Sequence, residues 1–131
     1  MKLKDDKAPT FKEARRYMRN ATDLLRKAGR DNGRYKDKKY VKLAGHAAWS
    51  AVLEAVDQYL ESKGVKKGRG RKSKDWYTKE ISRFNRKLNL TFLNAYDGLH
   101  LYLAYDGDRV VKAAKAYMEE GKRVIALCEK G

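Results

Sequence analysis

The chain has 131 residues, 32 of them Lys or Arg against 17 Asp or Glu, for a formal charge of +15. That length supports one domain with its own core, and 42% apolar residues exclude a disordered chain despite 37% charged ones. The lone cysteine, Cys128, excludes an internal disulfide and points to a reducing compartment.

The first helix is expected over residues 10–30. Thr10 and Glu13 have the spacing of a capping box, with Pro9 just before it. Apolar residues at 11, 14, 17, 18, 21, 24, 25 and 28 form a stripe of 3.6-residue period, which stops at Gly29 before the turn-rich RDNGR. The second helix is expected over 37–62, from Asp37 to SKG. Its apolar residues cover more than half the circumference, so it is buried on several sides, with Gly45 and the alanines letting neighbours approach.

After VKKGRGRKSK, the third helix is expected over 75–105. Tyr77, Ile81, Phe84, Leu88, Phe92, Ala95, Leu99 and Tyr102 hold one helical phase, which predicts one long helix with a kink near Gly98. The fourth is expected over 108–129, with Val110, Ala114, Tyr117, Gly121, Val124 and Cys128 inward. Short connections make neighbours antiparallel, which predicts an all-α, up-down-up-down four-helix bundle with a long third helix, one domain over 1–131.

The stretch NAYDGLHLYLAYDGD carries YDG twice. Asp106-Gly107-Asp108 is expected to stop helix three and cap helix four; the first copy lies within the helix, where Gly98 permits close packing. His100 falls off the buried stripe and is expected at the surface or its boundary.

With its alanine-rich AGHAAWSAVLEAVDQYL and the YDGLHLYLAYDG close of the third helix, the chain resembles the HEPN superfamily of bacterial helical bundles, in particular an uncharacterised family of such bundles. The resemblance covers roughly residues 10–128 and implies the bundle fold and a tendency to pair. HEPN ribonucleases carry Arg, four to six residues, then His. Ala95, Asn94 and Leu93 stand at those distances before His100, and Val41, Tyr40 and Lys39 before His46, so the motif is missing.

His46, Ser50, Glu54 and Asp57 share a polar face of helix two, but parallel side chains with no oxyanion-hole motif make a solvated face, not a triad. Two histidines and one cysteine far apart match no metal spacing, and GRG at 68–70 lacks a nucleotide-cradle pattern. No enzyme activity, metal or cofactor is expected; the alternative is a ribonuclease or nucleotide-handling enzyme using His46 or His100.

Charge is uneven: residues 1–43 sum to +9 and residues 61–90 to +8. Helix one sets Lys12, Arg15, Arg16, Arg19, Arg26, Lys27 and Arg30 opposite its apolar stripe, and the connection adds Lys66, Lys67, Arg69, Arg71, Lys72 and Lys74. These cations are the candidates for contact with nucleic acid or another polyanion. Leu90, Leu93 and Leu101 lie off the third helix's main stripe and are candidates for a homodimer interface. The alternative partner is a protein, as in a two-component operon pair. No uncharged stretch is long enough to span a bilayer and MKLKDDKAPT has no apolar run, so a cytoplasmic, non-membrane protein is expected.

Overall fold

A computed structural model describes residues 10–131, so Pro9 and the rest of the N-terminal nine lie outside the described residues. The elements in chain order are α1 (Lys12–Ala28), β1 (Arg30–Asp31), β2 (Arg34–Tyr35), α2 (Lys38–Ser62), α3 (Lys74–Ser82), α4 (Arg86–Ala95), a π-helical segment (Tyr96–Tyr105) and α5 (Val111–Lys130). The all-α class stands, with one two-stranded hairpin added.

α1 buries Ala14, Met18, Ala21, Leu25 and Ala28 and begins later than expected. The capping box does not form. Phe11 occupies the cap position in a left-handed conformation (φ 56°) and is buried, so the chain turns in to seat its ring. Its N–H donates to Gln58 Oε1 of α2 at 3.3 Å, and Thr10 Oγ1 accepts only from Lys12 N. At the other end Gly29 leads into the hairpin. Asn32 (φ 56°) and Gly33 (φ 78°) are its turn residues, and both need the left-handed region that Asn and Gly tolerate. The hairpin is pinned downstream: Tyr35 N donates to Arg109 O at 2.7 Å, and Val111 N to Gly33 O at 3.0 Å.

α2 is the central helix. Asp37 caps it, accepting from Lys39 N at 3.0 Å. It packs against α1, the π segment and α5, as its wide apolar face requires. Gly45 meets the π segment so closely that a Cβ there would lie 2.8 Å from Ala104 Cα. Gly98 meets Tyr117 and Gly121 meets Leu99 in the same manner, so three glycines set the inter-helix spacing.

The single third helix is corrected to three pieces. α3 starts at Lys74, capped by Ser73 Oγ accepting from Trp76 N, and ends in a turn at 83–85. Asn85 caps α4 through Leu88 N at 2.9 Å, so polar Asn and Ser side chains interrupt a helix that the apolar period alone would carry through. From Tyr96 the helix widens to π geometry, and Asp106 N donates to Leu101 O five residues back. Widening shifts the phase: Leu103 takes the buried place expected of Tyr102, which is 44% exposed. Phe84, expected inside, sits in the break at 38% exposed.

α5 starts at Val111 rather than Asp108. Gly107 (φ 64°) makes the expected reversal, but Asp108 does not cap the helix: its Oδ1 accepts from Val110 N, one residue short of α5, which has no side-chain cap. Val110 itself is drawn into a bridge with Arg34, so Val111 is the first inward residue. Among the described residues no helix is long and apolar enough to cross a membrane.

Candidate nucleic-acid interface

The two groups of cations do not share one surface. Gln58 of α2 meets α1, whereas Trp49 meets Phe92 and the π segment. Nine residues, about two and a half turns, separate them, so they project from opposite sides of α2. The connection at 66–74 lies on the Trp49 side, where Lys67 pairs with Asp57 at 2.9 Å and Tyr77 donates to the same carboxylate at 2.7 Å. Burial first, then this hydrogen bond to Asp57, holds the Tyr77 hydroxyl well above the usual range for a phenol.

On the α1 side, a groove runs between α1 and α5, which both pack on α2 but scarcely on each other. Its wider part is a 690 Å³ cavity that includes Leu25, Arg26, Arg30, Tyr35, Lys115 and Met118. A 240 Å³ continuation lies between Arg15, Arg19, Lys122 and Ile125, and the two share Thr22 and Lys122. Cations therefore stand on both walls: Arg15, Arg19, Arg26 and Arg30 from the α1 side, Lys115 and Lys122 from α5. Those two lysines were missed because residues 91–131 sum to zero charge, which hid their position opposite α1.

Some of these charges are occupied. Arg15 pairs with Glu129 across the groove's far end, Arg16 with Glu13, Arg26 with Asp23 at 2.7 Å and Lys122 with Glu119 at 3.3 Å. Among the described residues Arg19, Arg30 and Lys115 make no ion pair, and neither do Lys12 and Lys27, which lie outside the groove's lining. Exposed pairs of this kind are weak and yield to a phosphate.

On the other side, the rings of Trp49, Tyr96 and His100 touch one another with centroids 5.2–5.6 Å apart, and Tyr105 joins them through His100 at 5.0 Å. Lys74 Nζ sits 4.9 Å over Tyr96 and Lys72 Nζ 5.7 Å over Trp76. Lys66, Arg69 and Arg71 are exposed in the same connection. His100 is half-buried, as a boundary residue should be, and its Nδ1 has no hydrogen-bond partner. Burial, then the nearby His46, keep its imidazole below the ordinary histidine pKa. The grouping of these rings was not legible because Trp49 comes from another helix and Tyr105 meets His100 only in π geometry.

Of the leucines, Leu90 is 63% exposed while Leu93 and Leu101 are half-buried. Leu90 and Leu93 line a shallow depression with Ser82, Arg86 and Asn89, and Leu101 is not part of it. The polar face of α2 holds no triad: Asp57 is engaged by Lys67 and Tyr77, and Glu54 accepts from Gln58 Nε2. Among the described residues no group of three His, Cys, Asp or Glu could hold a metal ion.

These features define a basic helical protein with a cation-walled groove on one side and an aromatic row on the other. The chain belongs to the family described as Domain of unknown function (DUF5618), whose model matches residues 9–130. It is similar to the solved structure of a protein of unknown function from Dyadobacter fermentans, 41% identical, covering 92% of this chain and 94% of that one with a TM-score of 0.83. No curated protein matches it.

Proposed function

We propose that this protein is a non-enzymatic accessory module that binds nucleic acid through the α1–α5 groove. The observation behind this reading is the placement of cations on both walls of a concave surface. A concave, low-dielectric site focuses positive potential far more than the convex edge of one helix. From Arg15 to Arg26 the groove's α1 wall runs about 16 Å, roughly five phosphates of a duplex strand at about 3.4 Å each. The reading takes α3, α4 and the π segment as one run of an up-down-up-down bundle related to HEPN proteins. It places a second copy of the chain against Leu90 and Leu93.

The test is binding of a fluorescent duplex and a single strand at two salt concentrations, using wild type and a variant with Arg19→Glu and Lys122→Glu. Wild-type binding falls steeply with salt. The variant binds weakly, and its salt slope is shallower by about 0.9 for each duplex phosphate that it no longer neutralises. Binding by the variant that matches wild type in affinity and slope would rule the groove out. RNA cleavage that disappears on His100→Ala would favour the enzyme class instead.

A further inference from the structure

We infer that the aromatic row on the π segment and α2 is a stacking platform for the unpaired bases of a single strand, with the 66–74 connection holding its phosphates; this rests on the nucleic-acid reading above. Four observations converge. The rings of Trp49, Tyr96 and His100 touch one another at 5.2–5.6 Å and Tyr105 extends the group from His100 at 5.0 Å, spacings suited to tilted aromatic contact. Tyr105, at the end of the row, is 62% exposed, and the other three are half-buried, so ring surface remains open to a ligand.

Cations lie beside the rings rather than at random: Lys74 over Tyr96 and Lys72 over Trp76, with Lys66, Arg69 and Arg71 exposed in the same connection. Positive charge tracking a backbone beside aromatic faces is how proteins hold single strands without reading sequence. Finally, the site is built by a ten-residue π-helical segment, a geometry that is uncommon and concentrated at functional sites. In that geometry His100 and Tyr105, five residues apart, come into ring contact at 5.0 Å.

The polarity of the platform follows from the charges beside it. Lys74 stands over Tyr96 and Asp106 adjoins Tyr105. Phosphates therefore enter from the side of the connection, and the exposed ring of Tyr105 takes the last stacked base. An adenine or pyrimidine serves equally, since every base presents a π face.

The experiment uses the full chain with Trp76→Phe, which leaves Trp49 as the sole tryptophan reporter. It is titrated with three probes of twelve nucleotides: a single strand, a duplex, and an abasic strand with the same phosphates and no bases. The single strand quenches Trp49 and binds about ten-fold tighter than the abasic strand. Tyr105→Ala, at an exposed position that leaves the fold intact by circular dichroism, removes most of that advantage; Tyr105→Phe restores it. Abasic and base-bearing strands binding alike, with the duplex still bound, overturns the platform and leaves the groove. No binding of any probe at low salt overturns both. A Tyr105→Ala protein that changes oligomeric state and binds every probe as before assigns the rings to self-association and also overturns the inference.

Discussion

Gly45→Ala should destabilise the protein measurably, and the structure says by how much. A methyl at this position would lie 2.8 Å from Ala104 Cα and 2.8 Å from Leu103 Cβ, and closer still to Ala104 N. Two of those three atoms are backbone, so no side-chain rotation relieves the clash; α2 and the π segment must separate. Overpacking a fitted interior costs about 1–3 kcal/mol, and rigid neighbours put this site at the upper end. Alanine returns about 0.5–1 kcal/mol by its better helix propensity. The net loss is about 2 kcal/mol, which for a domain of this size lowers Tm by roughly 6–8 °C. Gly121→Ala is the internal comparison: its nearest neighbours are Leu99 Cδ1 at 2.8 Å and Met18 Cε at 3.1 Å, ends of flexible side chains that can move aside. Differential scanning calorimetry on the two variants should rank Gly45→Ala clearly below Gly121→Ala. A Gly45→Ala protein as stable as wild type would refute the close approach of α2 and the π segment.

Two further outcomes follow from buried titratable groups. Burial pushes the Cys128 thiol up to about 12, so a thiol-reactive reagent at pH 8 should leave it unmodified in the native protein and label it at once in denaturant; fast native labelling would contradict the packing of α5. His100 has a lowered folded pKa, so its contribution to stability is present above the unfolded value and lost as pH falls through the folded one. Denaturant midpoints should therefore drop between pH 7 and pH 5. His100→Phe, which keeps an aromatic ring, should flatten that drop, and an unchanged pH profile would remove His100 from the account.

Much of the fold was written in the apolar periodicity, because burial on a helix repeats every 3.6 residues and leaves a trace that needs no tertiary information. α1, α2 and α5 lie within three residues of their expected bounds. What escaped has physical causes. The capping box at Thr10 gave way to the burial of Phe11, a tertiary gain that local spacing does not register. The break at 83–85 hides in a phase that stays continuous across it, since Ile81 and Leu88 are both buried and only Phe84, inside the break, departs from it. The hairpin carried its Asn32-Gly33 signal openly; its strands are two residues each, too short to show alternation.

The candidate site was legible as charge and illegible as shape. Arg15, Arg19, Arg26 and Arg30 were identifiable on α1, but their partners Lys115 and Lys122 come from a segment with no net charge. A sequence reports how many cations a helix face carries and not which other helix stands opposite. The aromatic row was obscured in a different way, since His100 and Tyr105 belong together only once the helix has widened.

The backbone bonds between the hairpin and the start of α5 also impose an order of assembly. Val111 N reaches Gly33 O across 78 residues of chain, whereas α1 and α2 meet across the nine-residue connection 29–37. Closing a long loop costs more entropy than closing a short one, and that cost is met before the distant contacts stabilise anything. Loop closure therefore favours the α1–α2 pair over the contact between its hairpin and α5. Both walls of the basic groove exist only once that distant contact is made, so the charged surface is lost whenever α5 detaches.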